Sequence, residues 1–208
     1  KALAGYIVSG RWQAALVTTA SGLLALILLP LSCLGASSIA LVTLHVGVFS
    51  GLQVMGLAAA SVILLYLLAG VQVVVVIVML LLLWVPCWLA AAILQQTRDP
   101  GAAFKAATLF GVTLLLLVYA SIQEPAAAWL DVLKAMLAML EETGFKLDGL
   151  SDEQLLQEFA ALMTGVVLSW LVLGILASLL LARWWQSLLV HPGAFREEFC
   201  SLRMGLLA

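Results

Sequence analysis

Two histidines, three cysteines and eleven carboxylates are the side chains in this sequence that could do chemistry, and their spacing argues against most of it. His45 and His191 lie far apart, neither belongs to an HExxH pair, and no GxSxG nucleophile turn occurs. Cys33, Cys87 and Cys200 show neither CxxC nor Cys/His ligand spacing, so neither a zinc site nor a disulfide framework is expected. His45 alone interrupts a long apolar run, residues 41–53, "LVTLHVGVFSGLQ". Ionisable groups deep in a bilayer are costly and therefore point to function. Here Gly47 and Gly51 supply the backbone freedom of a turn, and His45 reads as the marker of a corner near the headgroups. The sequence thus predicts no catalytic residue, no metal ligand, no cofactor and no enzyme.

The elements that carry these residues are membrane spans. Of the 208 residues, 65% are hydrophobic and 10% charged, against about 45–50% apolar residues in a soluble domain. Apolar runs near the roughly 20 residues that cross a hydrocarbon core recur from end to end, leaving room for a single membrane domain, 1–208. Segment one, 12–29, is too long for a signal-peptide core, lacks a clear cleavage site, and reads as a retained helix ending at Pro30. Segment two, 31–48, is the least apolar, with a re-entrant hairpin as its rival reading. Segments three, four and five cover 50–69, 71–94 and 106–122, and Pro86 is expected to kink the fourth.

Between spans five and six the texture changes. Pro125 stands at a natural first helical position and Gly144 at a natural end, and the helix between them carries Asp131, Lys134 and Glu141 or Glu142 to one side. It is expected to lie along the membrane surface or pack on the bundle rather than cross. Ser151-Asp-Glu-Gln154 fits a capping box, so a long helix should begin near Asp152 and run toward Val190, with its membrane portion at about 159–181. Arg183 with Trp184 and Trp185 suits the interface at its far end. The fold class is therefore all-α: a polytopic membrane protein of six transmembrane helices, with an exterior amphipathic insert at 124–158 and a cytoplasmic tail at 191–208.

Charge orients the bundle. The insert 124–158 holds eight acids and two lysines, whereas the remainder holds three acids and seven basic residues. Lys1 and Arg11, Arg98 and Lys105, and Arg183, Arg196 and Arg203 all fall on one side if six spans are made, which places both termini in the cytoplasm. A re-entrant second segment would put Arg98 and Lys105 outside. No basic patch suggests nucleic acid. The expected partners are the lipid bilayer, other membrane subunits and a small-molecule ligand.

Two residue sets could carry a role. Small residues recur at four-residue spacing in Ala14, Thr18 and Gly22, in Gly56 and Ala60, and in Gly174, Ser178 and Ala182, so that helix backbones can approach closely. Internal packing is the favoured use of these ridges, with partner contact as the alternative. Gln72, Tyr119, Gln123, Glu158 and Thr164 cluster at the predicted exterior ends of spans, where they could rim a small binding pocket beneath the acidic cap; the alternative is that they are ordinary interfacial residues. Glu141-Glu142-Thr-Gly-Phe-Lys146 approaches the EExxxR pattern of membrane CAAX-type proteases, but lysine replaces arginine and the histidine motifs are missing, so a solvated charge cluster is expected.

The pattern "LVTLHVGVFSGL", a very apolar span after it, the amphipathic insert, and "FREEFCSLRMG" after the long helix resemble the YybS-like family of bacterial inner-membrane proteins. That family has no assigned activity and is distantly similar to the substrate-binding S subunits of energy-coupling factor transporters and to the cell-shape protein MreD, which share a six-helix core. The resemblance implies first a small-molecule-binding transport subunit driven by partners, since no GxxxxGK[ST] motif occurs here, and second a structural scaffold subunit. His45 stands where the family tends to have a basic residue, so the resemblance does not carry over any phosphate or lipid contact made by that charge.

Overall fold

The computed structural model describes residues 2–25, 31–70, 73–142 and 153–190, and all regular structure among them is helical. In chain order the elements are α1 (Ala2–Val8), α2 (Arg11–Leu24), α3 (Ser32–His45), α4 (Val48–Leu68), α5 (Val73–Thr97), α6 (Pro100–Ser121), α7 (Pro125–Glu142) and α8 (Glu153–Val190). Four helical stretches are long and apolar enough to cross a membrane: Val48–Leu68, Val76–Thr97, Pro100–Ser121 and Glu153–Val190. The chain is accordingly an all-α, multi-span membrane protein. Its spanning helices leave large apolar side chains such as Leu64, Leu67, Leu116, Leu162 and Trp170 bare, which a bilayer accommodates and water does not.

Six spanning-length helices were expected and four are found among the described residues. α3 falls short because 14 residues rise only about 21 Å, against a hydrocarbon core about 30 Å thick. α2 is also 14 residues long, and the last residues of segment one, 26–30, lie outside the described residues. α1 was not foreseen: it is a two-turn helix that buries Ala4 and Ile7. The capping box at 151–154 and the tail 191–208 also lie largely or wholly outside the described residues.

Two compact units divide the helices. One comprises residues 1–108 and 173–208, the other 109–172. In the first, α3 is the axis: its ten residues Gly35–Leu44 are all buried. A helix with no solvent- or lipid-facing side needs no amphipathic pattern, and this one instead needs its hydroxyls satisfied. Ser37, Ser38 and Thr43 each donate to the carbonyl four residues back, at 2.6, 2.9 and 2.8 Å, as does Thr18 of α2 at 2.9 Å. α3 is held to α8 by Ser178, whose hydroxyl lies 3.2 Å from the Cys33 carbonyl, and by Gln186, which donates to the Leu44 carbonyl at 3.0 Å. Both anchors run in register, so the last turns of α8 lie parallel to α3. Trp84, 2% exposed, fills the space beside Gly22 and Gly35.

In the second unit, α6 meets α8 where a side chain on Gly111 would strike Val172. α7 is tied to α8 twice. The Trp129 indole N–H donates to the Thr164 hydroxyl at 2.9 Å, and Lys134 pairs with Glu153 at 3.2 Å.

Candidate functional site

The corner 45–51 is built by two glycines that do different work. Gly47 has φ +140° and begins α4, so it is the turn residue. Gly51 lies within α4, where an added Cβ would collide with the Thr43 hydroxyl and come 3.2 Å from the Thr43 Cα. The expectation that both serve the turn is corrected: Gly51 permits close approach of α4 to α3. His45 is exposed at the end of α3, next to the turn.

Of the three small-residue ridges, two face inward. Ala14, Thr18 and Gly22 of α2 are buried, and a Cβ added to Gly22 would come 3.1 Å from the Val62 side chain of α4. On α8, Ser178 and Ala182 are fully buried, and a Cβ added to Gly174 would meet Leu83 and Cys33 at 3.6 and 3.7 Å. The third ridge differs. Gly56 and Ala60 of α4 are exposed, and nothing lies within 4 Å of a Cβ placed on Gly56.

The buried side of α4 is Gly51, Val54, Ala58, Val62 and Tyr66. At 100° per residue, Gln53, Gly56, Ala60 and Leu64 fall on the opposite side. Leu52, Leu57 and Leu64, all exposed, flank the small residues, so this side is a shallow trough between leucines. Gln53 stands at its head, and the side-chain oxygen is buried without a hydrogen-bond partner among the described residues. Sequence reasoning passed over Gln53. The signal was there, a lone amide three residues before Gly56 inside an apolar span.

The polar rim expected beneath the acidic cap is dispersed among surface and core. Gln72 lies outside the described residues. Tyr119, Gln123 and Glu158 have exposed side chains, and none hydrogen-bonds another. Thr164 is buried at 4% exposure, with its oxygen already taken by Trp129.

In the first unit, Arg183 donates to the Gln186 side chain at 2.5 Å. Gln186 in turn holds the Leu44 carbonyl, one of those that α3 leaves unpaired at its C-terminus. Trp88 donates to the Val48 carbonyl at 3.1 Å. Trp184 and Trp185, expected as an interfacial pair, divide: the first is exposed and the second buried. Among the described residues no three His, Cys, Asp or Glu side chains come together as metal ligands would. No known protein family, curated protein or solved structure matches this chain.

Proposed function

We propose that this chain is a non-enzymatic subunit of a bacterial inner-membrane protein assembly, and that the outward side of α4 receives a helix of a partner. The observation that carries this reading is the trough of Gly56 and Ala60. Two ridges of the same kind are used up inside the fold, while Gly56 and Ala60 face outward, with nothing within 4 Å of a Cβ placed on Gly56. Small residues at four-residue spacing let helix backbones approach closely. This is the scaffold reading, of the kind implied by the likeness to MreD. Six crossings with both termini cytoplasmic fit it, with α2 and α3 as the first pair, because an even number of crossings then separates Arg11 from Arg98 and Arg98 from Arg183, so the three share a side.

Purification in mild detergent tests it. A stoichiometric membrane-protein partner is expected, lost on Gly56→Leu or Ala60→Leu, with the subunit itself no less stable than the parent chain, since both positions are exposed. A lone monomer from native membranes, or a partner retained by both variants, overturns the proposal.

Small-molecule binding, the S-component reading, is favoured by a different observation: Tyr119, Gln123 and Glu158 are exposed and uncommitted to any described residue. Under that reading a ligand at a hundred times its Kd would stabilise the protein by about 2.7 kcal/mol, and Glu158→Gln would diminish the gain. A panel of vitamins in a thermal-unfolding assay separates the two.

A further inference from the structure

α7 has three sides rather than two. Trp129, Leu130, Leu133 and Leu137 are half-buried and form one of them, fixed toward α8 by the Trp129–Thr164 hydrogen bond. Asp131, Lys134 and Glu142 are exposed and form the charged side. The third side is Val132, Met136 and Met139, 48, 55 and 69% exposed, at spacings of four and three residues. Projected at 100° per residue, this stripe continues the half-buried side and lies away from the centre of the charged side. An apolar sector of this width exceeds what the fold covers.

We infer that Val132, Met136 and Met139 insert into the acyl boundary of a zwitterionic bilayer surface, making α7 an interfacial anchor as well as a packed element. Three observations select lipid as the occupant. The stripe belongs to the same compact unit as bare apolar rows on spanning helices, Leu109, Val112 and Leu116 on α6 and Leu162, Val166 and Trp170 on α8. Those rows already face hydrocarbon, so the bilayer surface is continuous with them. The charged side flanks the stripe as it does in helices that lie in the interface plane. A second copy docking here would bring Asp131 and Glu142, which flank the stripe on α7, close to like charges, with Lys134 already paired to Glu153. The same acids set the lipid class, because anionic headgroups would be repelled. The inference rests on α6 and α8 spanning the bilayer and not on the role of α4.

The test places a photoreactive benzophenone amino acid at Met136, at Asp131 or at Leu116 in the full chain, reconstituted in phosphatidylcholine vesicles. Adducts are identified by mass spectrometry. The expected result is lipid adduct at 136 comparable with that at the hydrocarbon-facing position 116 and several-fold above that at 131, diminished when phosphatidylglycerol replaces half of the lipid. Three results overturn it: lipid adduct at 136 no higher than at 131, protein–protein adduct in its place, or yield that rises with anionic lipid. Loss of a helix partner on α4 substitution would leave these yields unchanged, so the two proposals fail separately.

Discussion

Gly51 and Gly56 sit five residues apart on α4 and should answer the same substitution in opposite senses. Gly51→Ala drives a methyl group into Thr43, and overpacking of this kind costs about 1–3 kcal/mol. Gly56→Ala meets open space and removes a flexible residue from a helix interior, which should stabilise by about 0.5–1 kcal/mol. Unfolding curves in detergent, compared with the parent chain, read both signs. Thr164 makes a third case. Thr164→Val leaves the Trp129 N–H without its acceptor and should cost about 1–3 kcal/mol, whereas Thr164→Ser should keep most of the stability. A Val variant as stable as the Ser variant would show that the hydrogen bond contributes nothing. None of this was readable in the sequence, where a glycine that turns the chain and a glycine that admits a neighbour look alike. Gly47 is set apart by its φ of +140° and Gly51 by the Thr43 side chain across from it, and neither property is written in the residue type.

At the scale of elements, the corner between α5 and α6 shows what local sequence does determine. Thr97-Arg98-Asp99-Pro100 turns the chain within two residues. Asp99 accepts the Gly101 N–H at 2.8 Å as a helix cap, and Pro100 takes the first helical position, where it has no amide proton to lose. Arg98 has φ +54°, a conformation that an L side chain adopts at a cost. Arg98→Gly should therefore stabilise by about 1 kcal/mol and Asp99→Ala should destabilise by about the same amount, as measured by thermal unfolding. The same grammar placed the start of α7 at Pro125 and the start of α8 within a residue of Glu153. It could not give α3 its place. A fully buried helix and a lipid-facing helix use the same apolar residues, and only the ring of neighbours distinguishes them. The outward side of α4 was hidden for the same reason, since Gly56 and Ala60 carry the spacing shared by the two buried ridges.

The whole molecule combines helices of unequal length. α8, with 38 residues, rises about 57 Å, so close to half of it must lie beyond a core about 30 Å thick. Reporter fusions test the proposed orientation: a reporter active only in the cytoplasm should work after Arg98 and fail after Gln123. The reverse result, or the same result at both points, would overturn six crossings with cytoplasmic termini. α3 has a different consequence, which concerns how the chain is made. A helix of 14 residues carrying Ser37, Ser38 and Thr43 is a poor substrate for release into lipid by itself. It has to wait beside the insertion machinery until α4 and α5 emerge to enclose it, so the middle of this protein is the part of the chain that settles late. Nascent chains halted at Gly70 should leave a cysteine at position 38 open to a water-soluble thiol reagent, and chains halted after α6 should not. The residues that a finished molecule hides best are then the ones a quality-control protease meets when synthesis stalls.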